Sequence, residues 1–432
     1  MDHTRDADHA LSAAVRKATL RLIPFLCLAY TVNFLDRVNV GFAALQMNAD
    51  LGFSPSVYGF GAGIFFLGYI VFEIPSNLAL RRFGARIWIA RIMISWGLVA
   101  CAMALVHSEM SFYVTRALLG VAEAGFFPGI ILYLTYWFPR AERARIVALF
   151  MASVPLASVF GGPLSGALLE MHGALGLKGW QWLFIIEGLP AILLGLLALK
   201  ALTNAPQEAG WLTVEEQQAL TRTLDAEAEN TKETGYGDLK AALTRPRVLA
   251  LGALYFLMVT GLYGIGFWMP QVIGDFGLDP LSVGLLTAIP YLFAAIAMVL
   301  WGRHSDRSGE RRWHIALPLL LAAAAFAWSA YSGPVVPTMA ALTLATLGFY
   351  AAFGPFWALP TALLTGAGAA AGIALVNSMG NAAGFAGPYI VGLLKEATGS
   401  FSAALLFLAG ALALGGLMAL CFRGPADAAK AG

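Results

Sequence analysis

Long apolar stretches, separated by short polar ones, constrain this chain more than any other feature. A helix rises ~1.5 Å per residue, so a stretch of about 20 residues is long enough to cross a bilayer. Hydrophobic residues make up 59% of the 432, and charged residues only 12%. The sequence therefore predicts an all-α membrane protein with twelve transmembrane helices, at 20–45, 56–80, 87–106, 111–138, 146–168, 182–202, 247–273, 282–302, 313–332, 336–359, 371–394 and 401–422.

The positions of the positive charges predict how the helices are oriented. Most of the 27 Lys and Arg residues fall in the N-terminal tail, the even-numbered loops and the C-terminal tail, whereas the opposite side holds Lys178 and Lys395. By the positive-inside rule, both termini are expected in the cytoplasm and the protein in the cell (inner) membrane. The first apolar stretch is too long for a signal-peptide core, so it should be a retained span. The net charge is only +2, which does not indicate a nucleic-acid partner.

One long polar stretch divides the predicted spans into six and six. We therefore predict an N-terminal half at 1–202, a linker at 203–246 and a C-terminal half at 247–432. The apolar spacing within the linker predicts an amphipathic surface helix that uses Trp211, Leu212, Val214, Leu220 and Leu224.

The two halves repeat each other at a constant offset of 225 residues. The residues Arg82, Gly84, Arg86 and Trp88 correspond to Arg307, Gly309, Arg311 and Trp313, and a second motif in each half has the same offset. Two motifs at one offset indicate a duplicated six-helix unit. Duplicated units are typical of transporters, whose binding sites lie between the halves.

Charged residues inside the spans of the N-terminal half predict a buried functional cluster. A charged side chain at the membrane centre costs about 2.5–3.5 kcal/mol on insertion scales, so charged residues without a function are not expected there. Asn33, Asp36 and Arg37 are spaced to share one face of the first span. Arg116 and Glu123 are seven residues apart, which places both on one face of the fourth span, ~10.5 Å apart along its axis. Structural ion pairs between helices are the alternative.

The spans of the C-terminal half contain no comparable charged pair. An aromatic stripe in the tenth span, Tyr350, Phe353 and Trp357, can serve either packing or binding, and Asn377 and Asn381 share a face of the eleventh. Two further acids, Glu73 and Glu187, are expected to lie shallow enough to reach water and to have structural roles. The three cysteines fall in apolar segments, so we expect no disulfide, metal site or cofactor: Cys27, Cys101 and Cys421.

Several stretches of sequence resemble a known family. The loops LRRFGARIW (80–88) and GRHSDRSGERRW (302–313), here called the signature loops, resemble the cytoplasmic signature loop of the major facilitator superfamily. The first has Arg81 where the family usually has an acidic residue, which puts a gating ion pair there in doubt. GGPLSG (161–166) resembles the Gly-Pro motif of the superfamily. Further stretches resemble its anion:cation symporter branch, including bacterial tartrate and phthalate permeases: NFLDRVNVGFA, GYIVFEIPSNLAL, RALLGVAEAGFFPG, WQWLFIIEGLPA and FWALPTALLTGAGAAAGIALVNSMGNAAGFAGPY.

This resemblance covers essentially the whole chain and implies roles for individual residues. It implies that Asp36 and Glu123 couple transport to protons and that Arg37 binds the substrate anion. At two cavity positions where relatives can have polar residues, this chain has Val154 and Gly354. This difference argues against a sugar-acid specificity. The remaining implied roles are substrate contact for Tyr69, Trp357 and Asn377; support of coupling for Asn33, Arg116 and Asn381, with Arg116 tuning Glu123; and gating for Arg82, Gly84, Arg86, Asp306, Arg307 and Gly309.

The predicted function is the import of a small organic anion by proton symport and alternating access. The substrate is expected to be a carboxylate such as tartrate, another hydroxy or dicarboxylic acid, or an aromatic acid. Coupling is needed because a negative interior opposes anion entry by ~2.3 kcal/mol per charge per 100 mV. We expect a monomer in contact with lipid. The alternatives are an organic anion exporter or exchanger and a non-transporting receptor. The sequence shows no nucleophile–base motif or metal-ligand cluster, which argues against an intramembrane enzyme.

Overall fold

The computed structural model describes residues 2–151, 153–232, 244–363 and 369–422, and within them the chain is helical and contains no strand. The first nine α-helices are α1 Asp2–Val38, α2 Val40–Leu51, α3 Pro55–Phe83, α4 Ala85–Ala102, α5 Glu109–Glu123, α6 Phe126–Thr135, α7 Arg140–Met151, α8 Ser153–Leu169 and α9 Gly179–Ala201. The others are α10 Val214–Lys232, α11 Pro246–Gly266, α12 Met269–Gly274, α13 Pro280–Ser308, α14 Arg312–Tyr331, α15 Val335–Leu363, α16 Ala369–Thr398 and α17 Ser402–Ala419. Short 3₁₀ helices occur at Met103–Leu105, Ala174–Gly176 and Pro206–Glu208.

The predicted all-α membrane architecture is confirmed. Eleven helical segments of the described chain are long and apolar enough to cross a membrane. The eleventh predicted span, at 371–394, lies within α16, whose 30 residues are also long enough. Asn377, Asn381 and several glycines interrupt its apolar stretch.

Within the described residues, three predicted spans are broken rather than continuous. The first is interrupted at Asn39, between α1 and α2, and the seventh at Phe267 and Trp268, between α11 and α12. The fourth is interrupted after Glu123, where Gly125 adopts a φ of +83° that side chains rarely allow. Irregular backbone inside a membrane protein is tolerated where it is buried in protein or lines a cavity, so these breaks mark the interior of the bundle.

The N-terminal tail is also helical, and it contacts the linker. The helix α1 begins at Asp2, so the polar residues before the first apolar stretch extend the membrane helix. Lys17 forms an ion pair with Glu216 of α10, with 2.8 Å between Nζ and Oε1. Burial raises the pKa of the Glu216 carboxyl, but hydrogen bonds from Lys17 and the Thr213 backbone N–H outweigh it and hold this pKa below its ordinary value. The linker helix is thereby attached to the N-terminal half.

The predicted linker helix is present, with a different start. It begins at Val214, so Trp211 and Leu212 precede it. Leu220 is fully buried, whereas the Val214 side chain is 62% exposed and does not belong to the apolar face. The amphipathic prediction therefore holds for the later part of this segment.

The two halves meet through α3 against α16 and through α8 against α13. Their closest backbone approaches lie away from the signature loops, at the N-terminal ends of α3 and α13, which we call the closed end. There a Cβ added to Gly162 would lie 2.6 Å from the carbonyl oxygen of Gly284. Cross-half hydrogen bonds at this end are Tyr58 Oη to the Phe267 carbonyl (2.7 Å), Ser54 Oγ to Glu396 (2.8 Å) and Asn48 to Gln271 (3.4 Å).

We expect Gly162→Val to open the closed end. Its side chain would collide with the backbone of α13, and overpacking of this kind costs about 1–3 kcal/mol, or roughly a five- to hundredfold shift between conformations. Spin labels on cysteines introduced at Glu170 and Asp279 in a cysteine-free protein should report a longer distance across this end. The control is Gly410→Val, because a Cβ there meets nothing within 4 Å. The same distance distribution in Gly162→Val and wild type would contradict the expectation.

Candidate functional site

The centre of the molecule holds a buried ion pair between Arg37 of α1 and Glu123 of α5. The Nε of Arg37 donates to Oε1 of Glu123 at 2.9 Å, and its Nη2 contacts the same oxygen. Arg37 is only 7% exposed and Glu123 is fully buried. The other oxygen, Oε2 of Glu123, has no hydrogen-bond partner among the described residues. Breaking a buried pair from one side typically costs about 3–5 kcal/mol, so the two side chains depend on each other.

The positions of Arg37 and Glu123 at helix ends explain why Glu123 depends on a cationic partner. Arg37 lies in the last turn of α1, where the helix dipole favours a cation. Glu123 is the last residue of α5, where the same dipole disfavours an anion. The fully buried Asn33, one turn before Arg37, lies beside Glu123. The guanidinium is therefore the main stabilising partner of this carboxylate.

Aromatic side chains from both halves surround Arg37. Its guanidinium carbon lies 5.2 Å from the centre of the Phe65 ring and 5.3 Å from that of Tyr69, distances at which a ring face attracts a cation. Its Nη1 donates to the hydroxyl of Tyr263 in α11, at 3.4 Å. Tyr263 is not among the residues predicted from the sequence, because no charge or motif distinguishes it. The pair consequently lies at the interface between the halves.

Arg116 is fully buried but is not hydrogen-bonded to Glu123. Its Nε donates to the carbonyl of Gly61 at 3.3 Å, and its Nη2 to that of Ala62 at 3.0 Å. Its guanidinium also lies 5.2 Å from the Phe65 ring centre, the same distance as that of Arg37. Any effect of Arg116 on Glu123 must therefore act through space rather than through a shared hydrogen bond.

Asp36 does not share the face of Arg37, so this part of the sequence prediction is wrong. Its Oδ2 accepts a hydrogen bond from Trp96 Nε1 of α4 at 2.9 Å. Consecutive residues of a helix are ~100° apart, so Asp36 and Arg37 diverge even though each is close to Asn33 in projection. Asp36 is 1% exposed, and within the described chain it forms no ion pair.

Of the predicted residues of α15 and α16, Asn377 reaches the interface between the halves. Asn377 Nδ2 approaches Oε1 of Glu73 across the two halves at 3.5 Å. Glu73 follows the buried Tyr69 by one helical turn, so this acid lies at the interface. Trp357 packs edge-on against Tyr255, with ring centres 4.9 Å apart. The remaining predicted residue of α16, Asn381, is half-buried.

The expectation that Glu187 is shallow is wrong. This residue of α9 is 1% exposed. Its Oε1 accepts a hydrogen bond from Ser165 Oγ of α8 at 2.7 Å, and its Oε2 has no partner in the described part of the chain. Glu187 is near a helix end in the sequence, but the packing of α8 and α9 against α1 buries its side chain.

The predicted gating residues lie at the turns of the signature loops. Gly84 ends α3 with a φ of +84°, and Gly309 ends α13 with a φ of +67°. In the second loop Arg311 pairs with Asp306 at 2.8 Å. In the first, the backbone N–H of Arg86 donates to Asn204 at 3.0 Å. The other predicted loop residues are exposed: Arg82 and Arg307.

The three cysteines are free thiols. Among the described residues, no group of three or more His, Cys, Asp and Glu side chains is arranged to hold a metal ion.

Two bundles of membrane-spanning helices, with a buried ion pair of the N-terminal half at their interface, are typical of a transporter. The sequence matches the Major Facilitator Superfamily over residues 26–388 and 255–432, and the chain belongs to this family. It is 53% identical, over 406 residues, to a protein of Agrobacterium vitis that bears the provisional name tartrate transporter; the match covers 94% of this chain and 90% of that protein. It is 46% identical, over 418 residues, to a protein of Pseudomonas putida provisionally named metabolite transport protein NicT, with 95% and 94% covered.

A solved structure has the same fold. The xylose transporter XylE of Escherichia coli, in a partially occluded inward-open conformation, superposes with a TM-score of 0.77 over 95% of this chain and 99% of XylE, at 14% sequence identity. The protein is thus a multi-pass membrane transporter of the superfamily, and not an enzyme.

Proposed function

We propose that this transporter imports a small organic anion together with protons, and that L-tartrate is the first substrate to test. The observation that carries the proposal is the Arg37–Glu123 pair at the interface of the halves. A guanidinium presents parallel N–H donors that match a carboxylate. In this structure the Glu123 carboxylate accepts from these donors, and a substrate carboxylate would compete with Glu123 for the Arg37 guanidinium. The provisional name of the Agrobacterium vitis relatives supports tartrate.

Competition for Arg37 gives a mechanism of coupling. Protonation of Glu123 removes its negative charge, and the guanidinium is then free to bind the substrate carboxylate. Without a proton, the substrate anion would be repelled by the Glu123 carboxylate and would have to break the ion pair. Proton and anion therefore bind together, with the proton on Glu123 and the anion on Arg37.

The groups around Arg37 supply the rest of a small polar site. The Tyr263 hydroxyl and the Tyr69 ring already contact the guanidinium, and Asn377 reaches across the interface. We propose that Tyr69, Asn377 and Trp357 contact the body of the substrate, and that Asn33, Arg116 and Asn381 support the site. Because Val154 and Gly354 offer no polar side-chain atoms, a compact acid is favoured over a sugar acid.

Alternating access would expose this site to each side in turn. The halves are held together at the closed end by the cross-half bonds of Tyr58, Ser54 and Asn48. Rocking of the halves would break these bonds and form contacts near the signature loops. We further propose an inner-membrane location, a monomer, and cytoplasmic termini, so that the closed end faces outward.

We expect uptake of radiolabelled L-tartrate into proteoliposomes to be driven by an inward proton gradient. Each pH unit contributes ~1.4 kcal/mol per proton, about tenfold in accumulation if one proton is coupled to each substrate. A sodium gradient should not replace it, because the proposed coupling groups are carboxyls that exchange protons. Uptake that depends on a sodium gradient and is unaffected by a protonophore would contradict proton coupling.

The same preparation separates the alternatives. Exchange without net accumulation would indicate an exchanger, and accumulation driven only by an outward proton gradient would indicate an exporter. Binding without any flux would indicate a receptor.

A further inference from the structure

A second buried acidic cluster lies beside the Arg37 site, between α1, α4, α8 and α9. It contains Asp36, which accepts from Trp96, and Glu187, which accepts from Ser165. The two carboxyls are close enough for their charges to repel each other. The side chain of Asn39, at the break between α1 and α2, lies beside Glu187.

No cation compensates these two acids within the described residues. Arg37, the neighbour of Asp36, extends to Glu123 instead. The nearest basic residue of the loop before α9, Lys178, pairs with Asp50 at 2.9 Å. Two other titratable groups face the cluster, the carboxyl of Glu123 at the end of α5 and the thiol of Cys101 on α4. The uncharged side chains of Ser165 on α8 and Asn39 at the α1–α2 break lie beside Glu187. Two buried, unpaired carboxylates repel each other and lack solvation, so keeping both of them ionised is energetically costly.

A small cavity at the interface of the halves borders Ser165, the hydrogen-bond partner of Glu187. Ser165 is among its lining residues, together with Phe42 and Gly162 of the N-terminal half and Thr287 and Tyr291 of the C-terminal half. Ser165 thus borders the cavity, and its hydroxyl donates to Oε1 of Glu187 at 2.7 Å. A hydroxyl donates one proton and accepts another, so it can relay a proton without any net change of its own.

From this geometry we propose that Glu187 is a proton-binding group in addition to Glu123 and Asp36, and that Ser165 passes protons to it from the cavity between α8 and α13. A proton arrives on Ser165 Oγ from water in the cavity while the hydroxyl proton moves to Glu187. The effect on transport rests on the proton coupling proposed above, whereas proton binding by Glu187 does not.

A purely structural role makes a different prediction. If Glu187 only anchored Ser165, its amide analogue would suffice, because the side-chain oxygen of Gln accepts the same hydrogen bond. Glu187→Gln therefore separates the two roles, since it keeps the acceptor and removes the titratable proton.

The direct test is infrared spectroscopy of the purified protein in detergent, without substrate. At neutral pH the carbonyl band of protonated carboxyl groups should lose intensity in Glu187→Gln. It should be unchanged in Glu170→Gln, which removes an exposed acid just after α8. An unchanged band in a monodisperse Glu187→Gln protein would overturn the proposal.

A second variant tests the relay. Ser165→Ala should slow proton-driven L-tartrate uptake at least several-fold while leaving L-tartrate counterflow at equal pH unchanged, because counterflow needs no net proton movement. Wild-type uptake in this variant would overturn the relay. If the wild-type protein itself moves no L-tartrate, the substrate proposal fails, and the infrared comparison still decides whether Glu187 holds a proton.

Discussion

Arg37→Lys should bind L-tartrate about ten- to a hundredfold more weakly than the wild-type protein. Lys keeps the positive charge, so it can still pair with Glu123 and the fold should persist. It cannot form two parallel N–H···O bonds, because its ammonium is a point charge. Loss of a charged hydrogen bond in a buried site costs about 1.5–3 kcal/mol, which corresponds to the expected loss of affinity.

Titration calorimetry on purified Arg37→Lys, beside the wild type, measures this loss. The matched control is Arg91→Lys, because Arg91 lies over the Trp88 ring, 4.2 Å from its centre, and outside the site. The control should retain wild-type affinity. Near-equal affinity in Arg37→Lys would mean that the anion is held elsewhere, and Arg116 would be the next residue to test.

Glu123→Gln should abolish accumulation of L-tartrate against its gradient while preserving exchange. Gln resembles the protonated acid, so Arg37 loses its intramolecular competitor and stays available to the anion. The variant has no proton to gain or lose at this position, so a pH gradient can no longer drive uptake. Exchange needs only binding and rocking of the halves, both of which remain.

Proteoliposomes loaded with unlabelled L-tartrate measure exchange, and empty ones under an inward proton gradient measure accumulation. Glu109→Gln is the matched control, since Glu109 begins the same helix and is exposed. It should behave like the wild type in both assays. Wild-type accumulation by Glu123→Gln would place the coupling site elsewhere, with Asp36 as the first candidate.

The fold could be predicted from the sequence because composition and length alone decide which segments cross a membrane. The breaks in the spans could not be predicted in the same way. Gly125 is one glycine among many in apolar segments, and Asn39 is not a strong helix breaker. The break in the seventh span does have a sequence signal, because Pro270 stands in the first turn of α12. These breaks depend on contacts with other helices, such as the bond from Tyr58 to the carbonyl of Phe267.

The site was only partly predictable for a related reason. Charges inside spans stand out in a sequence, so Arg37, Glu123 and Arg116 could be found. Their partners could not, because Tyr263 approaches Arg37 from the other half and Asp36 turns toward Trp96. Spacing along one helix defines faces, but it does not say which neighbouring helix each face meets.

The central claim is that Glu123 releases Arg37 by taking up a proton when the anion binds. Calorimetric titration of the purified wild type and Glu123→Gln with L-tartrate, in buffers of different ionisation enthalpy, counts the protons taken up on binding. We expect net proton uptake in the wild type at neutral pH, and less uptake in Glu123→Gln, with binding retained. Binding without proton uptake in the wild type, or equal uptake in both proteins, would contradict the claim.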